Sequence, residues 1–247
     1  MDFSRNELIW GKVNQKKLAK KHVTVFGLGG VGGFALESLA RAGVCNFTII
    51  DFDKVSESNI NRQIIALSST VGYKKTELFK KRLLDINPQI DVKCIDDFYH
   101  ENLQSIIFNA HTDFVVDAID TMRSKISLLE FCVRNNIPVV TSMGAGNRVD
   151  PTQLYITDIS GIENKKCTFT KNVLYQLKKR GIESGITAVC SRENPHVEEK
   201  ISVTENITTK NGENFEFTKI TPGSTPFVPA VAGYYMGWYV LDKLLKN

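Results

Sequence analysis

The run Val23-Thr24-Val25-Phe26-Gly27-Leu28-Gly29-Gly30-Val31-Gly32-Gly33 constrains the fold of this chain more than any other stretch. Four β-prone residues lead directly into glycines, and Phe34 to Arg41 then reads as a helix. Gly27, Gly29 and Gly32 carry the spacing of a strand–turn–helix nucleotide site. Glycines there permit a tight turn and let backbone N–H groups approach a phosphate at the helix N-terminus. Asp51 follows the next apolar run, Phe47 to Ile50, where an acidic side chain can hold ribose hydroxyls. The spacing alone leaves nicotinamide, flavin and adenylate chemistry open.

Strand and helix signals alternate on either side. Lys74 to Ile86 has Leu78, Phe79, Leu83 and Ile86 at helical spacing and is closed by Asn87-Pro88. Asp91 to Ile95 reads as a strand, Asn102 to Phe108 as a short helix, and Phe114 to Asp120 as a buried strand ending in two acids. Met122 to Asn135 is a helix and Pro138 to Ser142 the next strand. This rhythm predicts an α/β fold: a Rossmann-like, doubly wound, mostly parallel sheet with helices on both faces. Ligands of such sheets bind at the carboxyl ends of the strands, where Gly27, Asp51, Asp53, Asp97, Asp117 and Asp120 fall.

Leu8 to Lys21 reads as a helix ahead of the first strand. Past Gly144-Ala145-Gly146 the rhythm changes. Gln153 to Thr157 and Ile186 to Cys190 read as strands, Asn172 to Arg180 as a basic helix, and Glu193 to Thr221 as a long polar loop or flap. Pro229 to Lys246 is a closing helix whose aromatics suit core or dimer contacts. The expected organisation is one domain over residues 1–247: a nucleotide-binding core at 22–143, then a substrate-side extension and closing helix at 144–247.

Composition narrows the class. With 42% hydrophobic and 23% charged residues and a formal charge of +4, the chain reads as a soluble globular protein. Mild basicity tolerates a polyanionic partner without demanding one. No signal-like segment or membrane-length apolar run is evident, so a cytoplasmic location is expected. Five widely spaced cysteines without a C-x-x-C pair argue against a zinc ribbon and a disulfide framework.

Ribose recognition needs one acid, yet Asp53, Arg62, Lys75 and Asp120 accompany Asp51. Two cations suit the charge of a triphosphate. Asp120 suits Mg²⁺, which in such sites takes one or two carboxylates plus phosphate oxygens. Together they describe an ATP site, with attack at the α-phosphorus and pyrophosphate as leaving group. A dehydrogenase with extra surface charges is the competing reading. The length after Met143 is short for a separate hydride-acceptor domain, and no His/Arg/Asp constellation is evident there.

Five motifs in order resemble the adenylating superfamily of ubiquitin-activating enzymes and the ThiF- and MoeB-like adenylyltransferases. They are Gly27-x-Gly29-Gly30-x-Gly32, Asp51-x-Asp53-x-Val55, Asn59-x-x-Arg62-Gln63, Val71-Gly72-x-x-Lys75 and Asp117-Ala118-Ile119-Asp120. The resemblance implies that these glycines, Asp51, Asp53, Asn59, Arg62, Gln63, Lys75, Asp117, Ala118 and Asp120 bind the nucleotide. It implies Arg62, Lys75 and Asp120 as catalytic residues, with Asp120 on the metal. Arg5 to Gly11 is similar to the family's N-terminal motif, which implies a homodimer in which Arg5 enters the partner's site.

Within the superfamily the chain is most similar to the tRNA threonylcarbamoyladenosine dehydratases. Asn59 to Ile64, Gly144-Ala145-Gly146 followed by Asp150-Pro151-Thr152, and Gly223 to Pro229 carry that likeness. It implies ATP- and Mg²⁺-dependent activation of the threonyl carboxylate on a modified tRNA adenosine, then closure to an oxazolone. It leaves room for a sulfur-relay (cysteine desulfurase) partner. The alternative is an adenylyltransferase acting on the C-terminal glycine of a ubiquitin-like sulfur carrier. The missing C-x-x-C pairs favour the dehydratases, and Cys190 is expected to be structural or incidental. The basic segment Lys165 to Arg180 suits either tRNA backbone or a solvated face.

Overall fold

The structure, a computed structural model, describes residues 2–246 except 110, 164–165, 197, 199–200 and 209–213. Residues 201–208 and 214–221 are described by their backbone. The chain runs α1 (Ser4–Leu18), β1 (His22–Phe26), α2 (Gly32–Ala42), β2 (Asn46–Ile50), α3 (Lys75–Ile86), β3 (Asp91–Ile95), α4 (Gln104–Ile107) and β4 (Phe114–Asp117). It continues with α5 (Met122–Arg134), β5 (Val139–Ser142), β6 (Leu154–Asp158), α6 (Thr168–Lys178), β7 (Thr187–Ser191), β8 (Ile201–Thr208), β9 (Asn214–Thr221) and α7 (Phe227–Lys246).

Seven strands form one sheet in the order β3-β2-β1-β4-β5-β7-β6. All neighbours are parallel except β6, which runs antiparallel to β7 at the edge. Both faces are covered, so the central strands β1, β4 and β5 are buried along nearly their whole length. On β4, Phe114 and Val116 join the core under α2, α3 and α7, while Val115 joins the core under α5 and α6. The expected doubly wound sheet is therefore present. The segment after residue 143 extends it, because β7 pairs with β5.

α7 packs back across α2. Gly233 faces the Val31 carbonyl and Gly237 faces Ser38, where a Cβ at either position would overlap its neighbour. Small residues one turn apart let the two backbones approach closely. Among the described residues, no helix is long and apolar enough to cross a membrane.

Three expectations are corrected. α1 begins at Ser4 and ends at Leu18, four residues ahead of the expected Leu8–Lys21 helix at its start, and it breaks at Gly11, with φ of 82°. Lys21 is instead drawn to Asp113, 2.8 Å away. The strand expected over Phe114–Asp120 stops at Asp117. The expected loop over Glu193–Thr221 contains an antiparallel pair, β8 with β9, in register from Ile201↔Thr221 to Thr208↔Asn214.

Candidate functional site

A cleft of about 480 Å³ opens where the chain reverses its winding direction, between the carboxyl ends of β1 and β4. Gly27 leaves β1 with φ of 81°, and a Cβ there would stand 2.7 Å from the Ala118 carbonyl oxygen. Gly32 opens α2, and a Cβ on it would overlap the Gly27 carbonyl oxygen. The turn can therefore close only on glycine. α2 has neither a side-chain cap nor an acidic residue in its first turn, which leaves its positive end open to an anion. Gly29 and Gly30 line the cleft beside it.

Asp51 follows β2 directly and braces this turn. Its Oδ2 accepts from Leu28 N at 2.6 Å and its Oδ1 from Asp53 N at 2.8 Å. Burial pushes its pKa up to about 6, against the pull of Lys75 and the two backbone N–H groups; Asp53 adds to the rise. Residues 53–55 then pair with 72–75: Val55 N donates to Tyr73 O and Lys75 N to Asp53 O. That pairing sets Lys75 at the first turn of α3. Its buried Nζ lies 2.6 Å from Asp53 Oδ2 and 3.9 Å from Asp51 Oδ1.

A short 3-10 turn at Glu57–Asn59 leads into Arg62 and Gln63. The Asn59 side chain accepts from Ser56 N, and its carbonyl takes the backbone N–H groups of Arg62 and Gln63. Arg62 Nη1 donates to Ser58 O at 2.8 Å and to Asn61 Oδ1 at 2.9 Å. Partial burial lowers the guanidinium pKa, and nearby Asp120 raises it. The Oε1 of Gln63 is buried at the cleft without a hydrogen-bond partner among the described residues. A ligand hydroxyl or amine would satisfy it.

Asp120 is exposed in the cleft, on the loop after β4, where its carboxylate accepts from the Thr121 hydroxyl at 3.5 Å. This acid fits a Mg²⁺ ion that takes most of its ligands from phosphate and water. Among the described residues no group of three His, Cys, Asp or Glu is placed to hold a metal. Asp117 departs from expectation. It is fully buried, paired with Lys125 at 2.6 Å, and faces the core instead of the cleft. Its part in the site is to hold the loop of Ala118 and Asp120. Arg5 is exposed on α1 and does not line the cleft of its own chain.

The structure thus brings together Gly27, Gly29, Gly30, Asp51, Asp53, Asn59, Arg62, Gln63, Lys75, Ala118 and Asp120. It adds Phe52 and Phe98, which meet edge to face at 5.2 Å, and Pro222 and Ser224. No spacing rule points to the aromatics, whereas the turn cluster Pro222–Pro226 was an available signal. Cys190 is buried in β7, and burial pushes its thiol up to about 12, as suits a structural residue. In the basic segment, Lys178 pairs with Glu183 and Arg180 with Glu130, while Lys165 lies outside the described residues.

Comparison with known proteins identifies the family. The ThiF family profile matches residues 3–246. The chain is 41% identical to the tRNA threonylcarbamoyladenosine dehydratase of Bacillus subtilis, over 99% of this chain and 95% of that protein. It is 38% identical to the Haemophilus influenzae protein of the same name, over 94% and 88% of the two chains. A crystal structure of Escherichia coli tRNA N6-threonylcarbamoyladenosine dehydratase with ATP superposes with a TM-score of 0.84 at 30% identity, covering 99% of this chain and 93% of that one. The chain belongs to the ThiF family.

Proposed function

We infer that this protein is an ATP-dependent tRNA threonylcarbamoyladenosine dehydratase. The observation that carries the reading is the cleft itself, where two cations, Arg62 and Lys75, and the exposed carboxylate of Asp120 surround a glycine turn at an uncapped helix N-terminus. Relatives of that name align over nearly the whole chain, which extends the reading from nucleotide to substrate.

ATP binds with its phosphates toward the turn and α2. Arg62 and Lys75 stabilise the charge that develops as the threonyl carboxylate of the modified adenosine attacks the α-phosphorus. One oxygen–phosphorus bond forms, the bond to the β-phosphate bridge breaks, and pyrophosphate leaves. The carbamoyl group then attacks the activated carbonyl carbon, closes the ring and releases AMP. The net change in the nucleoside is loss of one water. Asp120 would hold Mg²⁺, which when bound neutralises phosphate charge. Gln63 Oε1, the unpartnered buried acceptor, is suited to receive a nucleotide donor.

A homodimer accompanies this reading. Leu8, Ile9 and Val13 on α1 are about four-fifths exposed, and Phe227, Tyr234 and Trp238 on the neighbouring α7 are about half exposed or more. A second copy covering these faces would bury a large apolar surface and bring the exposed Arg5 against another subunit. Sedimentation equilibrium tests it: a dimer is expected, and a stable monomer at assay concentration would contradict it. For tRNA, the exposed lysines of α6 supply the candidate contact. Mass spectrometry of nucleosides digested from treated tRNA tests the reaction. A product lighter by one water, formed only with ATP, is expected, and an unchanged threonylcarbamoyladenosine would overturn the reading.

A further inference from the structure

Three segments that carry the dehydratase likeness are separate in sequence and meet at the mouth of the cleft: Asn61, the Gly144–Gly146 loop and the turn after β9. From Pro222 to Ser224 the chain leaves β9 and lines the cleft on its way to α7. On one side Asn147 N donates to Gly223 O at 2.8 Å, and Gly223 N donates to Asn147 Oδ1 at 2.6 Å. Pro222 also packs on Gly146, leaving no room for a Cβ there. On the other side Asn61 Nδ2 donates to Ser224 O at 2.9 Å. The same amide's Oδ1 accepts from Arg62 Nη1 at 2.9 Å.

Asn147 has a further bond, since its carbonyl accepts from His196 N at 2.8 Å in the segment between β7 and β8. The segment ahead of β8 and the segment that follows β9 are therefore fastened to one residue. Its φ of 61° is a left-handed conformation that asparagine tolerates better than most side chains. The hairpin's exit is in turn fastened through Asn61 to the guanidinium beside the phosphate turn. A carboxamide is suited to that place because it donates and accepts at once.

We propose that Asn61 is a positioning residue, joining the strap of residues 222–224 to Arg62 so that the hairpin's seat and the guanidinium's orientation form one coupled arrangement. Nucleotide engaging Arg62 draws the strap down, and the strap fixes where the chain leaves β9 at the mouth of the cleft. The proposal rests on the reading above for the role of Arg62. Asn61 itself is exposed, so its replacement should leave folding intact.

Hydrogen exchange of the Gly223, Ser224 and Thr225 amides, with and without a non-hydrolysable ATP analogue, tests the coupling. In the wild-type protein saturating analogue slows exchange there, and in Asn61→Ala it does not, with thermal midpoints matched. In steady state Asn61→Ala lowers kcat/KM for tRNA about tenfold, the loss expected for one charge-assisted hydrogen bond. Asn61→Asp keeps an acceptor for Arg62 but loses the strap donor, so it retains kcat and raises KM for tRNA. Equal slowing in Asn61→Ala and wild type, or wild-type kinetics in both variants, would overturn the proposal. The exchange readout needs nucleotide alone. Slowing that depends on Asn61 without tRNA modification would overturn the dehydratase reading and uphold the strap, and a wild-type protein that binds no nucleotide would overturn both.

Discussion

Lys125 Nζ lies 2.6 Å from the Asp117 carboxylate, and neither side chain reaches solvent. Thr141 completes the network, donating to the same carboxylate oxygen at 2.7 Å and accepting from Lys125 at 2.9 Å. The other Asp117 oxygen accepts from Ile119 N at 3.0 Å, so this network anchors the loop that carries Asp120. Removing one partner leaves an uncompensated buried charge. Lys125→Met is expected to lower the unfolding free energy by about 3–5 kcal/mol, measured by urea titration. The double variant Lys125→Met with Asp117→Leu should recover part of that loss, and a loss no smaller than in the single variant would argue against a charged pair.

The glycine turn makes a second, position-specific prediction. Gly32→Ala would drive a methyl group into the Gly27 carbonyl, whereas a Cβ on Gly29 meets only Gln63 Nε2 at 3.7 Å. Gly32→Ala is expected to cost about 1–3 kcal/mol through overpacking and to weaken nucleotide binding. Gly29→Ala should leave the thermal midpoint close to wild type. Equal midpoints in the two variants would contradict the turn geometry.

Asp51 gives a pH dependence whose sign follows from burial. Its pKa rises from an ordinary carboxylate value to about 6, so the folded state binds more protons than the unfolded state between pH ~4 and ~6. Stability contributed by this group therefore falls as pH rises through that window and is level above it. The ionised form costs up to about 3 kcal/mol at neutral pH. Relative to Asp51→Asn, the wild-type protein should lose stability from pH ~4 to ~6. Glu37 and Asp113, whose pKa values are lowered, slope the other way and cancel in the comparison. A pH-independent difference between the two proteins would contradict the shift.

Asp120 and Arg5 separate the metal role from the dimer role. Asp120 is exposed and outside the core, so Asp120→Ala should abolish adenylation without moving the thermal midpoint. Arg5→Ala should be similarly inactive if Arg5 serves the neighbouring subunit. Mixed and allowed to exchange subunits, the two variants form heterodimers with one intact site, and pyrophosphate release should partly return. No recovery under confirmed exchange would place Arg5 outside the partner's site.

The core was legible because its signals are local. The apolar run ending at Ile50 and the glycines after Phe26 define two strand ends and a turn without reference to anything distant, and the structure places them as expected. Asp117 was legible as a residue but not as a role. Its partner Lys125 lies on α5, and only the fold shows that the carboxylate turns inward, ending the strand early. The hairpin hides for another reason. Ile201, Val203 and Ile207, then Phe215 and Phe217, alternate with polar residues around Asn211-Gly212, a hairpin signal, but Glu205 and Lys219 interrupt the pattern. Asn61 and Ser224 are far apart in the chain and show no sign of each other until the strap crosses the cleft.

The most direct test of the central claim is ATP-dependent pyrophosphate release with tRNA carrying threonylcarbamoyladenosine, compared with the same tRNA lacking it. Release with the modified tRNA alone is the predicted result. Release with neither tRNA, but with a ubiquitin-like carrier ending in glycine, would contradict the account and assign the same cleft to protein activation.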